Sequence, residues 1–333
     1  MRGRSHALRD ALVALPLVLV VGCGVLPGTA GHADTGLRIM VPNTPGGGYD
    51  TTARTAARVM QEIGVAPDVQ VFNLPGAGGT VGLQRIVNER GNGRLALQMG
   101  LGVLGASHVA HAGVTVTQTT PLARLVDEPG AVVVRGDSPY RSIEDLVTTW
   151  KRSPARLRVG GGSSPGGPDN LLSLELAKAV GIGPRQVDYA AYQGGGGDLL
   201  PALLDGKVDF ATTGVGEFLD QIDAGQLRVL AVTSEKPVDA LPGVPTLKSV
   251  GIDLAFSNWR GIVAPPGITA ADRKRWIDAL TAMHASKQWK AAVRRHGWAD
   301  AFAVGVAFGT YLSEQDTSVA RLTKELGLNR PVR

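Results

Sequence analysis

Glycine-rich turns are the part of this 333-residue sequence best suited to chemistry. The first turn, Pro45-Gly46-Gly47-Gly48-Tyr49-Asp50, follows the apolar run Leu37–Val41 and precedes an apolar pattern at helical spacing over Thr51–Ile63. A strand, a glycine turn and a helix N-terminus together form an anion site, because glycine N–H groups and the positive end of the helix dipole face a carboxylate or phosphate. Asp50 stands where an N-cap is expected.

The same order of strand, glycine turn and helix recurs along the chain. Each further apolar run with strand character ends in a turn rich in glycine and leads toward a stretch with helical spacing. The runs are Asp68–Phe72, Arg94–Met99, Arg156–Val159, Gln186–Ala191 and Val208–Ala211, and the turns after them span 73–79, 100–105, 160–167, 192–197 and 212–216. Because the carboxyl ends of parallel strands meet at one edge of a sheet, these turns are expected to converge there.

Two long apolar runs divide these units into two sets. Leu122–Val134 follows the first set, and Leu227–Thr233 follows the second. We therefore predict an α/β protein with two doubly wound lobes around a cleft, joined by two crossing strands. One lobe comprises 37–130 plus 235–333, and the inserted lobe comprises 131–234. Such a cleft can close by hinge motion.

The N-terminal segment has the pattern of an export signal. Arg2, Arg4 and Arg9 precede the apolar run Ala11–Val21, which is too short to span a bilayer as a stable anchor. We predict that residues 1–22 are a signal peptide and do not belong to the fold.

The end of this signal leaves two cleavage sites open. Cleavage after Ala33 would follow small residues, whereas cleavage before Cys23 would match a sequence similar to a bacterial lipobox. Cys23 is the only cysteine, so it cannot form an internal disulfide. We favour a lipoprotein signal with lipidation of Cys23, which would tether the protein to the membrane. Residues 23–36 would then be a flexible stalk.

Composition and motifs argue against several classes of function. The net charge is +5 without a cluster of Lys and Arg, which gives no indication of a nucleic-acid partner. Position 81 is Val81 where a G-x-G-x-x-G fingerprint would need glycine, and Gly206-Lys207 lacks the earlier glycine of a P-loop. His108 and His111 have no third candidate ligand. We therefore expect no cofactor and no metal.

A serine hydrolase is the enzymatic alternative. Gly162-Ser163-Ser164-Pro165-Gly166 matches G-x-S-x-G after a strand and before a helix. The oxyanion hole of such enzymes uses the backbone N–H of the residue after the serine, and Pro165 has none. His284 and His296 both lie in helical patterns. A hydrolase using Ser164 is therefore disfavoured, and we expect no catalytic residue.

Several motifs together resemble one known family, the extracytoplasmic receptors of tripartite tricarboxylate transporters (the TctC or Bug family). The resemblance covers essentially everything after residue 36. The motifs that carry it are Pro45–Arg54, Asn73–Thr80, Gly160–Gly167, Tyr192–Gly196, Pro245-Thr246-Leu247 and Asn258–Gly261.

The resemblance implies a type 2 periplasmic-binding-protein fold and capture of a small carboxylate. It also implies delivery to a membrane partner made of one large and one small transmembrane subunit. The Gly-Gly-Gly-Tyr-Asp form is similar to the tricarboxylate receptors, so citrate is the favoured ligand, with a dicarboxylate, amino acid or aromatic acid as alternatives. Lipidated Cys23 would place the receptor on the outer face of the cytoplasmic membrane, otherwise in a periplasm. A sensor subunit that signals to a kinase is a further alternative.

Within this framework we expect backbone amides of both lobes to hold the carboxylates of one ligand. Asp50 is either a helix cap or a direct ligand, Arg260 is a candidate charge partner, and Trp259 is a candidate hinge residue. The predicted binding residues are Gly46, Gly47, Gly48, Tyr49, Asp50, Asn73, Gly78, Gly79 and Thr80 in the first lobe, and Ser163, Ser164, Gly166, Gly167, Tyr192, Gln193 and Thr213 in the second.

Overall fold

The computed structural model of this protein describes residues 36–110, 112–192 and 195–328. The predicted signal peptide, Cys23 and Gln193 lie outside these residues. The strands are β1 (Leu37–Val41), β2 (Val69–Asn73), β3 (Leu95–Gly100), β4 (Thr120–Arg135), β5 (Arg158–Gly161), β6 (Asp188–Ala191), β7 (Phe210–Gly214), β8 (Leu227–Val232), β9 (Ser257–Ala264) and β10 (Ala299–Val304). The helices are α1 (Gly48–Glu62), α2 (Thr80–Asn88), α3 (Leu101–Val109), α4 (Ile143–Arg152), α5 (Pro168–Ala179), α6 (Gly196–Leu204), α7 (Leu219–Asp223), α8 (Ala270–Ala285), α9 (Lys287–Arg295) and α10 (Gly305–Glu325).

The first half of the fold is built on a parallel core of three strands. β1 pairs in parallel with β2 and β3, and β9 pairs antiparallel with β3. One apolar cluster joins this sheet to α1, α8 and α9, and includes the fully buried Trp276 and Leu280. A second cluster joins it to α2, α3 and α10, and includes Leu83 and Phe308. The sheet therefore has helices on both faces, as parallel sheets require.

The second half repeats this layout. β5 lies between β6 and β7 in parallel, and β7 pairs antiparallel with β4. Trp150 of α4 packs edge-on against Phe210 of β7, with ring centroids 5.1 Å apart, in a cluster that also holds α5. Leu199 and Leu203 of α6 belong to the cluster on the other face. Among the described residues, no helix is long and apolar enough to cross a bilayer.

One long strand, β4, belongs to both halves. From Thr120 to Pro129 it pairs with β9, and from Gly130 onward it pairs with β7. The chain therefore passes from the first half to the second inside a single strand. β8 pairs with the second part of β4, from Ala131 to Arg135, so the chain returns to the first half between β8 and β9.

Thr233 fastens these two passages together. Its hydroxyl accepts a hydrogen bond from the N–H of Gly130 at 2.7 Å and donates one to the carbonyl of Phe256 at 2.6 Å. Its own N–H donates to the carbonyl of Gly130 at 2.9 Å, and the N–H of Phe256 donates to its carbonyl at 3.1 Å. Thr233 is fully buried, and its hydrogen bonds extend the β4–β8 pairing that holds the outgoing and returning chains side by side.

The structure shifts several element boundaries relative to the sequence prediction. α1 begins at Gly48 and not at Thr51, and its N-cap is Gly47. The prediction that Asp50 is the N-cap is therefore wrong. Asp50 stands at the third helical position, from which its carboxylate accepts the N–H of Gly46 at 3.0 Å. The last glycine of the turn is thus part of the helix itself.

Replacing Thr233 with valine should weaken the fold, because the buried N–H of Gly130 and carbonyl of Phe256 would each lose a partner. We expect Thr233→Val to lower the free energy of unfolding by about 1–3 kcal/mol, measured by urea denaturation. Thr317→Val, which removes an exposed hydroxyl from α10, is the control and should change stability by less than about 0.5 kcal/mol. Equal effects of the two changes would contradict the role given to Thr233.

Candidate functional site

A cavity of about 540 Å³ lies between the two halves, at the ends of the strands where the glycine turns meet. Its volume is in the range of small-molecule sites. Turns from both halves form its walls, as the strand order predicts. The predicted residues that line it are Gly47, Gly48, Tyr49, Gly78, Gly79, Ser163, Ser164 and Gly167.

The N-terminus of α1 and a guanidinium group meet on the first wall. The first N–H groups of α1, including those of Gly48 and Tyr49, have no acceptor within the helix. A Cβ added at Gly48 would lie 2.2 Å from Nη2 of Arg260, so only glycine allows the guanidinium to lie this close to the backbone. The helix dipole and Arg260 therefore place positive potential at the same point of the cavity.

The turn after β2 adds a second set of backbone donors. Gly76, Ala77, Gly78 and Gly79 have φ values of 152°, 47°, 66° and 99°. Ala77 is the only non-glycine with positive φ among the described residues, and this left-handed conformation costs a residue with a Cβ roughly 1–2 kcal/mol. Successive N–H groups in such turns form concave anion sites, although the N–H of Gly79 already donates to the carbonyl of Gly76 at 2.9 Å. Backbone strain of this kind is common at functional sites.

In the turn before α5, several backbone N–H groups donate hydrogen bonds to acceptors of the same segment. Ser163 Oγ accepts the N–H groups of Asp169 and Asn170 at 3.0 and 3.4 Å, which caps α5. The N–H of Gly166 donates to Oδ1 of Asn170 at 2.9 Å, and that of Gly167 donates to the carbonyl of Ser164 at 2.7 Å. Both glycine amides therefore already have acceptors within the turn, and a carboxylate bound to them would have to displace these acceptors. Gly166 does not line the cavity.

Asp50 braces the first turn from behind the cavity. Its carboxylate accepts from Nε of Arg54 at 2.9 Å, from Nδ2 of Asn73 at 2.9 Å and from the N–H of Gly46. Burial disfavours its charge, but these hydrogen bonds outweigh burial and hold the pKa of Asp50 below its ordinary value. Gly46, Asp50 and Asn73 thus fix the shape of the turn and do not line the cavity.

The remaining predicted residues that the structure describes are Tyr49, Thr80, Tyr192 and Thr213. The hydroxyl of Tyr49 accepts the N–H of Gly102 at 2.8 Å, which caps α3, and burial raises the pKa of Tyr49 to about 12. Thr80 donates to the carbonyl of Ala77 at 3.0 Å. Thr80 and Tyr192 lie outside the cavity lining, as does Thr213. Among these four residues, only Tyr49 reaches the cavity.

Arg260 and Glu128 form an ion pair beneath the site. Both side chains are 2% exposed. Nη1 of Arg260 also donates to Oγ1 of Thr52 at 3.1 Å, and Glu128 accepts the N–H of Gly216 at 3.3 Å. Arg260 belongs to β9 of the first half, whereas Gly216 follows β7 of the second. The pair therefore joins the two halves at the floor of the cavity.

Sequence reasoning missed the polar side chains that supplement the glycines. Asp169, Asp198 and Glu217 line the cavity, and each follows one of the predicted glycine turns at the start of the next helical stretch. That position was a usable signal. Asn43, absent from the predicted site, also lines the cavity, as do Asn258 and the candidate charge partner Arg260. Oδ1 of Asn43, Oδ1 of Asn258 and Nε of Arg260 are buried without a hydrogen-bond partner among the described residues.

Neither of the two histidines considered for the hydrolase is placed to activate Ser164 in the described part of the chain. Nε2 of His284 lies 3.0 Å from Asp300, and the ring of His296 stacks on Trp298. Neither histidine belongs to the cavity lining as far as the structure describes it. The described part of the chain also contains no group of three or more His, Cys, Asp or Glu that could hold a metal ion.

A deep cleft between two α/β halves, walled by helix N-termini and crossed by adjacent strands, defines a solute-binding protein of the periplasmic type. The family model described as "Tripartite tricarboxylate transporter family receptor" matches residues 52–299. The chain belongs to this family of extracytoplasmic solute-binding receptors. The family implies a carboxylate ligand and a tripartite transporter.

Similar proteins include relatives of known sequence and of known structure. A UPF0065 protein encoded in the TAR-I ttuE-ttuC′ intergenic region of Agrobacterium vitis is 28% identical over 276 residues, 82% of this chain and 78% of its own. The periplasmic binding protein BugD aligns with a TM-score of 0.78 at 25% identity over 88% of this chain and 97% of its own. MatC from Rhodopseudomonas palustris, solved with bound malate, aligns with a TM-score of 0.76 at 19% identity over 86% and 98% of the two chains. These alignments confirm the predicted fold.

Removing the guanidinium of Arg260 should destabilise the fold, because Glu128 would remain buried without a countercharge. We expect Arg260→Met to lower the free energy of unfolding by about 3–5 kcal/mol in urea denaturation at neutral pH. Arg141→Met, which changes an exposed arginine, should alter stability by less than about 0.5 kcal/mol. A loss below about 1 kcal/mol for Arg260→Met would show that the buried pair does not stabilise the floor of the cavity.

Proposed function

We propose that this protein captures a small carboxylate, with a tricarboxylate such as citrate favoured, and delivers it to the transmembrane subunits of a tripartite transporter. The supporting observation is the meeting of the α1 N-terminus, the turn at 76–79 and the Arg260 guanidinium on one wall of the cavity. Each supplies positive potential or N–H donors, which is what a carboxylate requires.

The described lining residues also fit a ligand that carries a hydroxyl group in addition to its carboxylates. The buried Oδ1 atoms of Asn43 and Asn258 are acceptors, and a hydroxyl group of the ligand would satisfy either. Citrate and malate both carry carboxylates and a hydroxyl. The presence of malate in the similar MatC structure agrees with this ligand class.

Closure of two lobes is the mechanism we propose for capture, with lobes at 37–130 plus 235–333 and at 131–234. Small residues meet across the cavity: a Cβ added at Gly195 would lie 3.5 Å from Cα of Gly47, and one added at Gly78 would lie 3.8 Å from Oγ of Ser164. The lobes would turn about the passages that Thr233 joins. A ligand that contacts both walls favours the closed state by its higher affinity for that state.

Export and tethering complete the proposal. Removal of residues 1–22 and lipidation of Cys23 would hold the receptor at the outer face of the cytoplasmic membrane beside its transmembrane partners. Cleavage after Ala33 would instead release it into a periplasm. A sensor subunit with the same ligand site is the alternative role, and the hydrolase is the enzymatic alternative.

Calorimetric titration tests the ligand class. Citrate, malate, glutamate and nicotinate are titrated in turn, and at least one should give a saturable heat with roughly micromolar affinity, about −8 kcal/mol. The compound should be recovered unchanged. Saturation by none of them would contradict carboxylate capture, and ester hydrolysis abolished by Ser164→Ala would favour the hydrolase.

The addition of a single methyl group at Gly105 tests whether the two lobes close around the ligand. A Cβ added at Gly105 of α3 would lie 1.8 Å from the carbonyl oxygen of Gly166 across the cleft, although neither residue lines the cavity. Alanine is the better helix former by about 1 kcal/mol, so α3 itself should not be weakened. We expect Gly105→Ala to reduce ligand affinity by about tenfold or more, roughly 1.4 kcal/mol, in the same calorimetric titration.

Gly309→Ala is the matched control for this closure test. It adds the same methyl to α10, at 3.6 Å from Pro121, which is an ordinary contact. Its affinity should equal that of the unchanged protein. Unchanged affinity in Gly105→Ala would show that the approach of α3 to the turn before α5 is not part of the bound state.

A further inference from the structure

The second wall of the cavity is acidic, which an anion-binding site does not require. Asp169, Asp198 and Glu217 all line the cavity. Arg260, the only Lys or Arg among the lining residues as described, is already paired with Glu128. A ligand carboxylate entering this space meets more acidic than basic groups. These acidic side chains must therefore either repel the ligand carboxylate or be protonated, and so uncharged, when they bind it.

Asp169 and Glu217 are placed where a charged carboxylate is poorly tolerated. Asp169 is 9% exposed, and burial together with the charges of Glu217 and Glu128 raises its pKa well above the ordinary value. Burial and the charge of Glu128 raise the pKa of Glu217 to about 7. The hydroxyl of Thr213 donates to Oε2 of Glu217 at 2.9 Å and fixes its orientation. Near neutral pH Glu217 therefore readily accepts a proton, and the pKa of the Asp169 carboxyl is shifted in the same direction.

Charged and titratable groups on several elements surround Asp169 and Glu217 and influence their protonation. Among the described residues that line the cavity, only Arg260 carries a positive charge, and Glu128 partly neutralises it. His296 lies beside this region, since a Cβ added at Gly216 would lie 2.5 Å from the backbone carbonyl oxygen of His296. Burial and the charge of Arg260 lower the pKa of the His296 imidazole. The charged and titratable groups are Glu128 on β4, Arg260 on β9, Tyr49 on α1, Tyr189 on β6, Asp198 on α6 and His296 after α9.

We propose that Asp169 and Glu217 are specificity-determining residues that enter the complex as carboxylic acids and donate hydrogen bonds to a carboxylate of the ligand, so that binding takes up a proton. This inference rests on the proposed function, because it needs an anionic ligand in the cavity. The proton comes from solvent and returns there on release. A bond between an acid O–H and a carboxylate is among the stronger hydrogen bonds of proteins.

The direction of the pH dependence follows from the charges. A bound carboxylate makes ionisation of Glu217 less favourable, so the pKa of Glu217 in the complex lies above its value of about 7 in the free protein. Between these two values the complex holds more protons than the free protein. Affinity therefore falls as pH rises through this range, by up to about tenfold per pH unit for one proton. A cationic ligand would give the opposite direction, because it would release the protons.

The test is calorimetric titration of citrate and of malate at pH 6, 7 and 8, each in buffers of different ionisation enthalpy. The dependence of the observed heat on the buffer counts the protons exchanged on binding. We expect Glu217 to take up about half a proton at pH 7, rising toward one proton at pH 8, and affinity to fall by up to about fivefold from pH 7 to pH 8. Glu217→Gln should abolish most of the uptake while it keeps a hydrogen-bond donor, and Asp169→Asn is the second variant.

Controls separate the protein's proton from that of the ligand. Glu144→Gln changes an exposed acid of α4 outside the cavity and should keep the full uptake. Uptake that persists unchanged in Glu217→Gln and Asp169→Asn would belong to the ligand and overturn the proposal. Saturable binding with no uptake, or with proton release, would overturn it while leaving carboxylate capture intact. Absence of saturable binding by any carboxylate would overturn both.

Discussion

The close approach of the Arg260 guanidinium to the backbone at Gly48 is the contact on which the rest of this site depends. It brings a buried cation and the N-terminus of α1 to one point, and only glycine permits it. Glu128 keeps the guanidinium buried and in place, since an unpaired charge would not remain there. The surrounding glycine turn is held in turn by the Asp50, Arg54 and Asn73 cluster behind it.

The same floor contains the connections between the halves. β4 changes partners between Pro129 and Gly130, one residue beyond Glu128, and Thr233 hydrogen-bonds that point to the returning chain. The ligand site and the passages between halves therefore share a few neighbouring residues. Small displacements at the passages would open or close the walls above them. In the proposed mechanism, ligand binding and closure therefore depend on the same structural unit.

The sequence predicted the order of units and the placement of their turns, because a glycine cluster directly after an apolar run is typical of a strand that ends in a turn. It placed strand ends too early. β5 extends through Gly160 and Gly161, which pair with Ala190 and Ala191, and β7 extends through Thr212 and Thr213 to Gly214. Glycine and threonine at these positions continue the ladder because the sheet is buried on both faces, a tertiary effect that local pattern does not contain.

Side-chain roles were less predictable than backbone roles. Asn73 and Thr213 stand at strand ends, as expected of cleft residues, yet both hydrogen-bond to neighbouring carboxylates. The cavity-lining acids Asp169 and Glu217 owe their raised pKa values to burial and to the charge of Glu128, which is distant in sequence. Such charge coupling arises only after the two halves pack, so no spacing along the chain predicts it.

Amide hydrogen exchange followed by NMR, with and without saturating citrate, tests most directly whether backbone N–H groups of the first half hold the ligand. The account predicts that exchange at Gly48, Tyr49 and Gly78 slows by about tenfold or more on binding, while exposed amides of α4 remain unchanged. Saturable citrate binding that left exchange at these three residues unaltered would contradict it.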